Sequence, residues 1–168
     1  MLVVAEHDGF EHLRGCPVHR RLLGWRAGHW VAVLDVIGGN GEIEATSRIL
    51  FHPRISPGAA ERTAYGWRAP LNPAGWHVLT LGETAPFSGR GQNGPSPVGW
   101  YSERFGLKQA ATTLAWTHRG PMPRVMGYIL LRDPEVSPRL EPVPGGWNSV
   151  LESGSARDTY RLSLPRVS

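Results

Sequence analysis

The 168-residue sequence is poor in cysteine and has no long apolar run. Its single cysteine, Cys16, excludes an internal disulfide framework and a zinc site built from cysteines. No stretch is long and apolar enough to predict a membrane-spanning helix, so no membrane partner is expected. Residues 1–5 are too short an apolar run for the core of a signal peptide and lack a basic start.

Glycine and proline, by contrast, are abundant. The 21 glycines and 15 prolines separate short apolar runs, a pattern typical of all-β proteins rather than helical ones. Turn signals recur at fairly regular spacing, which favours an antiparallel β-sandwich. The length suits one domain, so we expect residues 1–168 to form a single β-sandwich domain.

Residues 18–52 form the clearest predicted unit, an antiparallel meander of three strands. Residues 30–37 are almost unbroken in their apolar character, which indicates a strand buried on both faces. Residues 38–41 are rich in glycine and predict a tight hairpin. The returning run over residues 42–52 alternates between apolar and polar side chains, as a half-buried strand requires.

Further strands are expected elsewhere, and the remaining segments are expected to be loops. The expected strands cover residues 2–5, 76–81, 110–118, 125–131 and 159–164. The expected loops cover residues 58–75 and 82–97, and residues 133–158 are expected to be an irregular Pro/Gly-rich segment. An isolated sandwich of this kind would expose strand edges and apolar surface, so we expect aggregation or dimerisation, which light scattering would detect.

Motifs for independent catalysis are absent from the sequence. The seven histidines show no helical spacing with an intervening glutamate, so no metal site is predicted, and no cofactor is expected. The glycine-rich residues 89–94 look like a phosphate loop, but Pro95 and Pro97 prevent the helix that such a loop needs. No serine lies in a nucleophile-elbow pattern.

The seven tryptophans and the predominance of arginine among the basic residues suggest ligand binding. Aromatic faces stack on sugar rings, and arginine holds acidic sugars through paired hydrogen bonds. Trp67 and Trp100, in loop context, are candidate binding residues, whereas Trp30 and Trp116 fall in strands and are expected to fill the core. The net charge of +4 favours acidic partners. Nucleic acid is not expected, because no docking helix or RNA-binding strand pattern is present.

Several short segments resemble, in matching order, the C-terminal β-sheet domain of heparinase II/III-like polysaccharide lyases. The resemblance extends over roughly residues 5–131 and rests on residues 7–10 (HDGF), 17–21 (PVHRR), the central strand ending at Asp35, 51–53 (FHP), 99–106 (GWYSERFG) and 119–121 (RGP). One departure is Phe105, where a tyrosine is more typical. Four residues match family-like positions and become candidate substrate-binding residues, interpreted first as structural or interface residues: His7, Asp8, His19 and Arg21.

The resemblance implies β-elimination on uronic-acid polysaccharides in a complete enzyme. In that family the catalytic groups come mainly from an N-terminal helical (α/α) toroid, with a further histidine from a His-x-His-x-Asp-like segment at the start of the β domain. The same early part supplies the zinc ligands in members that hold zinc. This sequence has neither part, so the resemblance implies a C-terminal fragment that is not catalytic alone and assigns no catalytic residue to it.

The partners implied are an acidic polysaccharide and an upstream helical toroid, as a domain or as a separate chain. Family members are typically periplasmic or secreted. The tryptophans and arginines also leave an alternative function open. The chain would then be a stand-alone carbohydrate-binding β-sandwich that uses Trp67 or Trp100 with the arginines, and salt would weaken its binding of acidic glycans.

Overall fold

The computed structural model describes residues 1–10, 12–153 and 156–163. Every regular element in these residues is a β-strand, and every strand pairing is antiparallel, which confirms the predicted all-β class. No helix that could cross a membrane is found in this described part of the chain. The strands are β1 (Leu2–His7), β2 (Val18–Arg26), β3 (Trp30–Gly38), β4 (Glu42–Leu50), β5 (Ser56–Pro57), β6 (Glu61–Thr63), β7 (Gly66–Asn72), β8 (Trp76–Leu81), β9 (Phe87–Arg90), β10 (Trp100–Tyr101), β11 (Gln109–Ala110), β12 (Thr112–Pro121), β13 (Arg124–Leu131), β14 (Ser137–Val143), β15 (Gly146–Ser153) and β16 (Ala156–Ser163).

A central sheet is covered on both faces by smaller sheets. Its order is β1-β2-β3-β13-β8-β7-β5, and β6 also pairs with β7. The sheet β4-β12-β9 covers one face, where Ile37 and Met126 pack with Leu114 of β12. The sheet β14-β15-β16 covers the other face, where Leu34 packs in one cluster with Leu151. Successive strand residues point to opposite faces, so the sandwich gains a third layer.

The predicted three-stranded meander is only partly correct. The hairpin of β2 and β3 is confirmed, with Arg26 opposite Trp30, and β3 is buried on both faces as expected. However, β4 pairs with β12 rather than with β3. Both edges of β3 are already occupied, by β2 and by β13, so residues 38–41 carry the chain across to the second sheet. The amide of Asn40 donates to the carbonyl of Gly15 at 2.9 Å and anchors this crossing.

The expectation that residues 133–158 are irregular is wrong, since this segment contains β14 and β15. Pro138 and Pro142 lie in β14, which is an edge strand paired only with β15. Proline lacks a backbone N–H, but an edge strand has one side on which no donor is needed. The strand expected at residues 159–164 lies within β16, although residue 164 is outside the described residues.

Two predicted loops also contain strands. Residues 58–75 include β6 and β7, and residues 82–97 include β9. Strand β6 pairs with β7, and β7 pairs with β8, across short turns, whereas β9 pairs with the distant β12. The glycine and proline residues of these turns concealed the short strands between them.

Strand β1 is the exposed edge of the central sheet. Its six residues are all exposed, and they include Leu2 at 42 %, Val3 at 44 % and Val4 at 53 % exposure. Apolar side chains on both faces of this strand are exposed, and its outer edge has unpaired backbone groups, so the strand is prone to self-association. Aggregation or dimerisation of the isolated chain stays a prediction.

The close contact of β13 with β3 provides a test of the central sheet. Gly127 has φ +137°, and a Cβ at this position would lie 2.1 Å from the carbonyl oxygen of Val33. We therefore expect Gly127→Ala to lower the free energy of unfolding by about 3 kcal/mol or more, measured by urea denaturation.

The matched control is Gly75→Ala in the turn between β7 and β8. Gly75 has φ +67°, but an added Cβ would meet no atom within 4 Å. Only the backbone conformation is penalised there, so we expect a loss of about 1 kcal/mol. Equal losses for the two variants would contradict the packing described for β3 and β13.

Candidate functional site

Three of the residues singled out in the sequence lie side by side on the central sheet. His7 of β1 is directly opposite His19 of β2, and Arg21 of β2 is opposite Asp35 of β3. Directly opposite residues of antiparallel strands share a face and are close enough to interact. Asp35 shares its face with Ile37, which packs towards the β4-β12-β9 sheet. We refer to His7, His19, Arg21 and Asp35 as the His7 cluster.

A chain of hydrogen bonds joins the members of the His7 cluster. Nε2 of His19 lies 2.7 Å from Oδ1 of Asp35, and Nδ1 of His19 lies 2.9 Å from Nε2 of His7. The amide of Gly9 donates to Nδ1 of His7 at 3.2 Å. Because an ionised carboxylate only accepts hydrogen bonds, these partners assign the protons of both neutral rings to Nε2. Each histidine then donates towards Asp35, and every ring nitrogen is engaged.

Asp35 is the buried anchor of this network. The residue is only 4 % exposed, and Arg21 donates to it twice, from Nε to Oδ1 at 2.7 Å and from the second Nη to Oδ2 at 3.0 Å. Burial raises the pKa of the Asp35 carboxyl, but the hydrogen bonds from His19 and Arg21 outweigh burial and hold that pKa below its ordinary value. Asp35 is therefore an ionised acceptor that fixes the orientation of two side chains.

The His7 cluster borders a cleft of about 450 Å³ between the central sheet and β4. Two nitrogens of Arg21, Nε and one Nη, donate hydrogen bonds to Asp35. The side chain is 54 % exposed, so the remaining Nη is available to solvent. Arg48 of β4 lines the same cleft. Glu44 also lines it, but its carboxylate pairs with Arg119 at 2.9 Å. The cleft therefore offers cationic groups to an incoming anion.

The structure does not bring the other sequence-predicted residues to this cleft. Asp8 is exposed in the turn after β1 and lies outside the network. Trp67 is half-buried on β7, three strands away from β3, which corresponds to about 14 Å. Trp100 lies on β10, in a separate two-stranded sheet. Both tryptophans are in strands, which corrects the loop context expected for them.

Each of these tryptophans has a cation over its ring. The guanidinium of Arg62 lies 5.5 Å from the ring centre of Trp67, and Nζ of Lys108 lies 3.8 Å from that of Trp100. The indole nitrogen of Trp100 donates to the carbonyl of Gln92 at 3.0 Å. In this arrangement one face of each ring is occupied by the protein's own side chain.

Asp35 holds the cluster together, yet the sequence marked it only as the end of the central strand and not as a candidate site residue. The signal was present, since a single carboxylate interrupts the apolar run of residues 30–37. A carboxylate in a strand buried on both faces requires charged or hydrogen-bonding partners. The partners could not be identified without the register that places Arg21 opposite it.

The arrangement favours anion binding over proton transfer or metal binding. A general base needs a free lone pair near the substrate, and both histidines use all their ring nitrogens inside the network. Burial raises the pKa of nearby Tyr128, which disfavours its use as a base. The cluster does not fit a metal, because its one carboxylate is held by Arg21 and His19. No group of three metal-ligating side chains converges anywhere in the described part of the chain.

Comparison with known proteins places this fold among polysaccharide lyase β domains. Residues 1–141 match the family described as Heparinase II/III-like, C-terminal. The chain belongs to this family, which confirms the resemblance found in the sequence. No curated protein sequence matches the chain.

Solved structures of lyases share the fold at low sequence identity. A heparan sulfate lyase HepC mutant from Pedobacter heparinus superposes with a TM-score of 0.65 and 11 % identity, over 99 % of this chain and 26 % of that one. A heparinase III gene product with methylated lysines gives a TM-score of 0.61 and 9 % identity, over 97 % of this chain and 25 % of its own. The chain thus spans about a quarter of the length of these proteins.

The anchoring role of Asp35 predicts a specific pH dependence of stability. A carboxyl whose pKa is lowered by folding stabilises the protein above its ordinary pKa, and that stabilisation is lost as pH falls through the lowered value. The stability of the native chain should therefore fall as pH drops below about 4. Asp35→Asn should lose on the order of 2 kcal/mol at pH 7 and show a weaker dependence in the acidic range.

Denaturant midpoints measured from pH 7 to pH 3 check this prediction. Glu44→Gln is the control, since its side chain is 59 % exposed and its ion pair with Arg119 is expected to contribute less than about 1 kcal/mol. An Asp35→Asn variant as stable as the native chain at pH 7 would contradict the anchoring role.

Proposed function

We propose that this chain is the C-terminal β-sandwich portion of a heparinase II/III-like polysaccharide lyase and is not catalytic alone. In the complete enzyme it contributes one wall of the cleft that holds a uronic-acid polysaccharide. The observation that carries the proposal is the His7 cluster, where buried Asp35 presents the Arg21 guanidinium to a cleft while the histidines have no free nitrogen.

β-Elimination makes three chemical demands on an enzyme. The uronate carboxylate must be neutralised, a base must remove the proton on the adjacent carbon, and an acid must protonate the departing oxygen. Arg21 suits the first demand, because a guanidinium binds a carboxylate through charge-assisted hydrogen bonds. His7 and His19 are better suited to position Arg21 through Asp35 than to move protons. The base and the acid are then supplied by the partner.

The partner we propose is a helical toroid, as an upstream domain or a separate chain. The solved lyases with this fold are about four times as long as this chain, which leaves room for such a domain in them. The uncovered apolar side chains of β1, next to the His7 cluster, provide a surface for packing it. His7, Asp8, His19 and Arg21 then lie where the two parts and the polysaccharide meet.

A stand-alone carbohydrate-binding module is the second candidate. The observation in its favour is the pairing of a cation with a half-buried tryptophan at two places, Arg62 with Trp67 and Lys108 with Trp100. The two sites lie on different sheets and away from the cleft. This alternative predicts that Trp67→Ala or Trp100→Ala weakens the binding of acidic glycans, whereas Arg21→Gln does not.

The test combines an eliminase assay with a binding assay on the full chain. With heparan sulfate as substrate, we expect no increase in the absorbance of the unsaturated uronate product. By calorimetry we expect salt-sensitive binding that Arg21→Gln weakens about threefold to tenfold, since a partly exposed charge-assisted contact is lost.

The matched control for binding is Arg139→Gln. Arg139 also pairs with a carboxylate, Glu152 at 2.5 Å, but it lies on the sheet that covers the opposite face of the central sheet. Its loss should leave glycan binding unchanged. Product formation by the full chain that His7→Ala or His19→Ala abolishes would overturn the non-catalytic assignment, and equal binding by Arg21→Gln and the native chain would overturn the role of the cleft.

A further inference from the structure

Strand β1 is an edge strand without the features that usually keep sheet edges apart. Native proteins protect such edges with short strands, proline or charged side chains. The opposite end of the central sheet has β5, which is two residues long and includes Pro57. Strand β14 contains two prolines, and β4 carries three charged residues. By contrast, β1 has six residues and no proline, and its one carboxylate, on Glu6, accepts a hydrogen bond from Nε of Arg20 at 2.7 Å.

The hydrogen bonds at the start of β1 show which of its backbone groups face away from β2. The amide of Trp25 donates to the carbonyl of Met1 at 3.1 Å, and the amino group of Met1 donates to the carbonyl of Trp25 at 3.0 Å. Such reciprocal pairs alternate along antiparallel strands with pairs that exchange no hydrogen bond. The N–H and C=O groups of Leu2, Val4 and Glu6 therefore point outwards, and no strand pairs with this edge within the described residues.

The side chains of β1 are largely apolar and uncovered on both faces. Leu2 and Val4 share the face of Leu22 and are 42 % and 53 % exposed, while Val3 lies on the face of His7 and is 44 % exposed. All six residues of the strand are exposed, so neither covering sheet blocks the approach of another strand. A strand added at this edge would bury apolar surface on both faces while pairing the outward backbone groups.

The sequence of β1 fits a second copy of itself in one register. When two copies run antiparallel with Val4 opposite Val4, Leu2 of each copy is opposite Glu6 of the other, and Val3 is opposite Ala5. All the outward residues of the strand then pair, and each pair exchanges two hydrogen bonds. Centring the pair on Val3 or Ala5 leaves an outward residue without a partner in the strand. Centring it on Glu6 places two carboxylates opposite each other, which is destabilising.

We propose that β1 is a self-association surface that pairs antiparallel with β1 of a second copy of this chain, about a two-fold axis at Val4. The two central sheets then form one continuous sheet. Because the axis is perpendicular to the sheet, equivalent faces of the two copies lie on the same side. Both His7 clusters are therefore on one face of the dimer, and the two copies of β2 are separated by three strand spacings, or about 14 Å.

Dimer formation competes with the toroid docking proposed above, because both use β1. A copy whose β1 is paired with another copy has no room there for a toroid. The dimer is therefore the state of the chain without its partner, and docking of the partner replaces it. Glycan binding at Arg21 does not require the dimer, because Arg21 lies on β2 and lines the cleft.

Sedimentation equilibrium of the full chain tests the pairing. One strand per copy buries less than the about 800 Å² per partner that is typical of stable complexes, so we expect a reversible, concentration-dependent equilibrium between monomer and dimer. Val4→Lys places two like charges opposite each other at the two-fold axis. We expect this variant to raise the dissociation constant of the dimer about tenfold or more.

The matched control is Leu50→Lys on β4, which is also an edge strand. Leu50 is 46 % exposed and Val4 is 53 % exposed, so the two variants add the same charge at similarly exposed apolar positions. Leu50→Lys should dimerise like the native chain. Circular dichroism and urea unfolding check that each variant is folded.

Cross-linking tests the register independently and carries the test if Val4→Lys does not fold. In a Cys16→Ser background, which removes the exposed native cysteine, Val4→Cys and Leu2→Cys each introduce one thiol. Across the proposed axis the two Val4 Cα atoms are about 5.5 Å apart, whereas the two Leu2 positions are offset by about 13 Å along the strand. A short bismaleimide should therefore link the Val4→Cys variant into a covalent dimer several times faster than the Leu2→Cys variant.

Four outcomes would overturn the inference. They are a monomer at every concentration, species larger than a dimer, equal weakening by Val4→Lys and Leu50→Lys, and equal cross-linking at the two introduced thiols. Heparan sulfate binding that depends on Arg21 would survive each of these outcomes. Conversely, a dimer that Val4→Lys dissociates would survive the failure of the Arg21 test.

Discussion

The structure depends on how one buried carboxylate, Asp35, is accommodated in the central strand. A carboxylate inside an apolar layer must be paired or it destabilises the fold. Arg21 and His19, on the adjacent strand, supply that pairing in hydrogen-bonding geometry. The same bonds orient the outward part of Arg21 and, through His19, the ring of His7. The pairing that the buried carboxylate requires therefore also orders the polar side chains at the edge of the core.

The three-layer arrangement leaves this polar surface uncovered. Strands β3, β13 and β8 contribute side chains to the apolar clusters on both faces of the central sheet. Strand β1 remains uncovered, and the cleft between β2 and β4 opens beside it. The chain belongs to the Heparinase II/III-like C-terminal family, and the cationic groups at this open edge are what the proposed binding of an acidic polysaccharide requires.

Much of the fold could be predicted from local patterns, but the sheet partners could not. The apolar run of β3 and the alternation of β4 were evident, since both follow from side-chain periodicity. The partner strand of β4 was not evident, because a glycine-rich segment such as residues 38–41 can either close a hairpin or cross between sheets. At the site, motif resemblance pointed to His7, His19 and Arg21, whereas the importance of Asp35 emerged only from its register with Arg21. Trp67 and Trp100 were predicted to lie in loops. The strand pairing that places them away from the cleft could not be predicted from the local sequence.

The most direct test of the central claim is a long-range proton–nitrogen NMR spectrum of the histidine side chains, with and without a heparan sulfate oligosaccharide. The hydrogen-bond chain predicts that His7 and His19 both carry their proton on Nε2, and that the Arg21 Nε resonance shifts on addition of the oligosaccharide. A different tautomer of His19, or an Arg21 resonance indifferent to the oligosaccharide, would contradict the account.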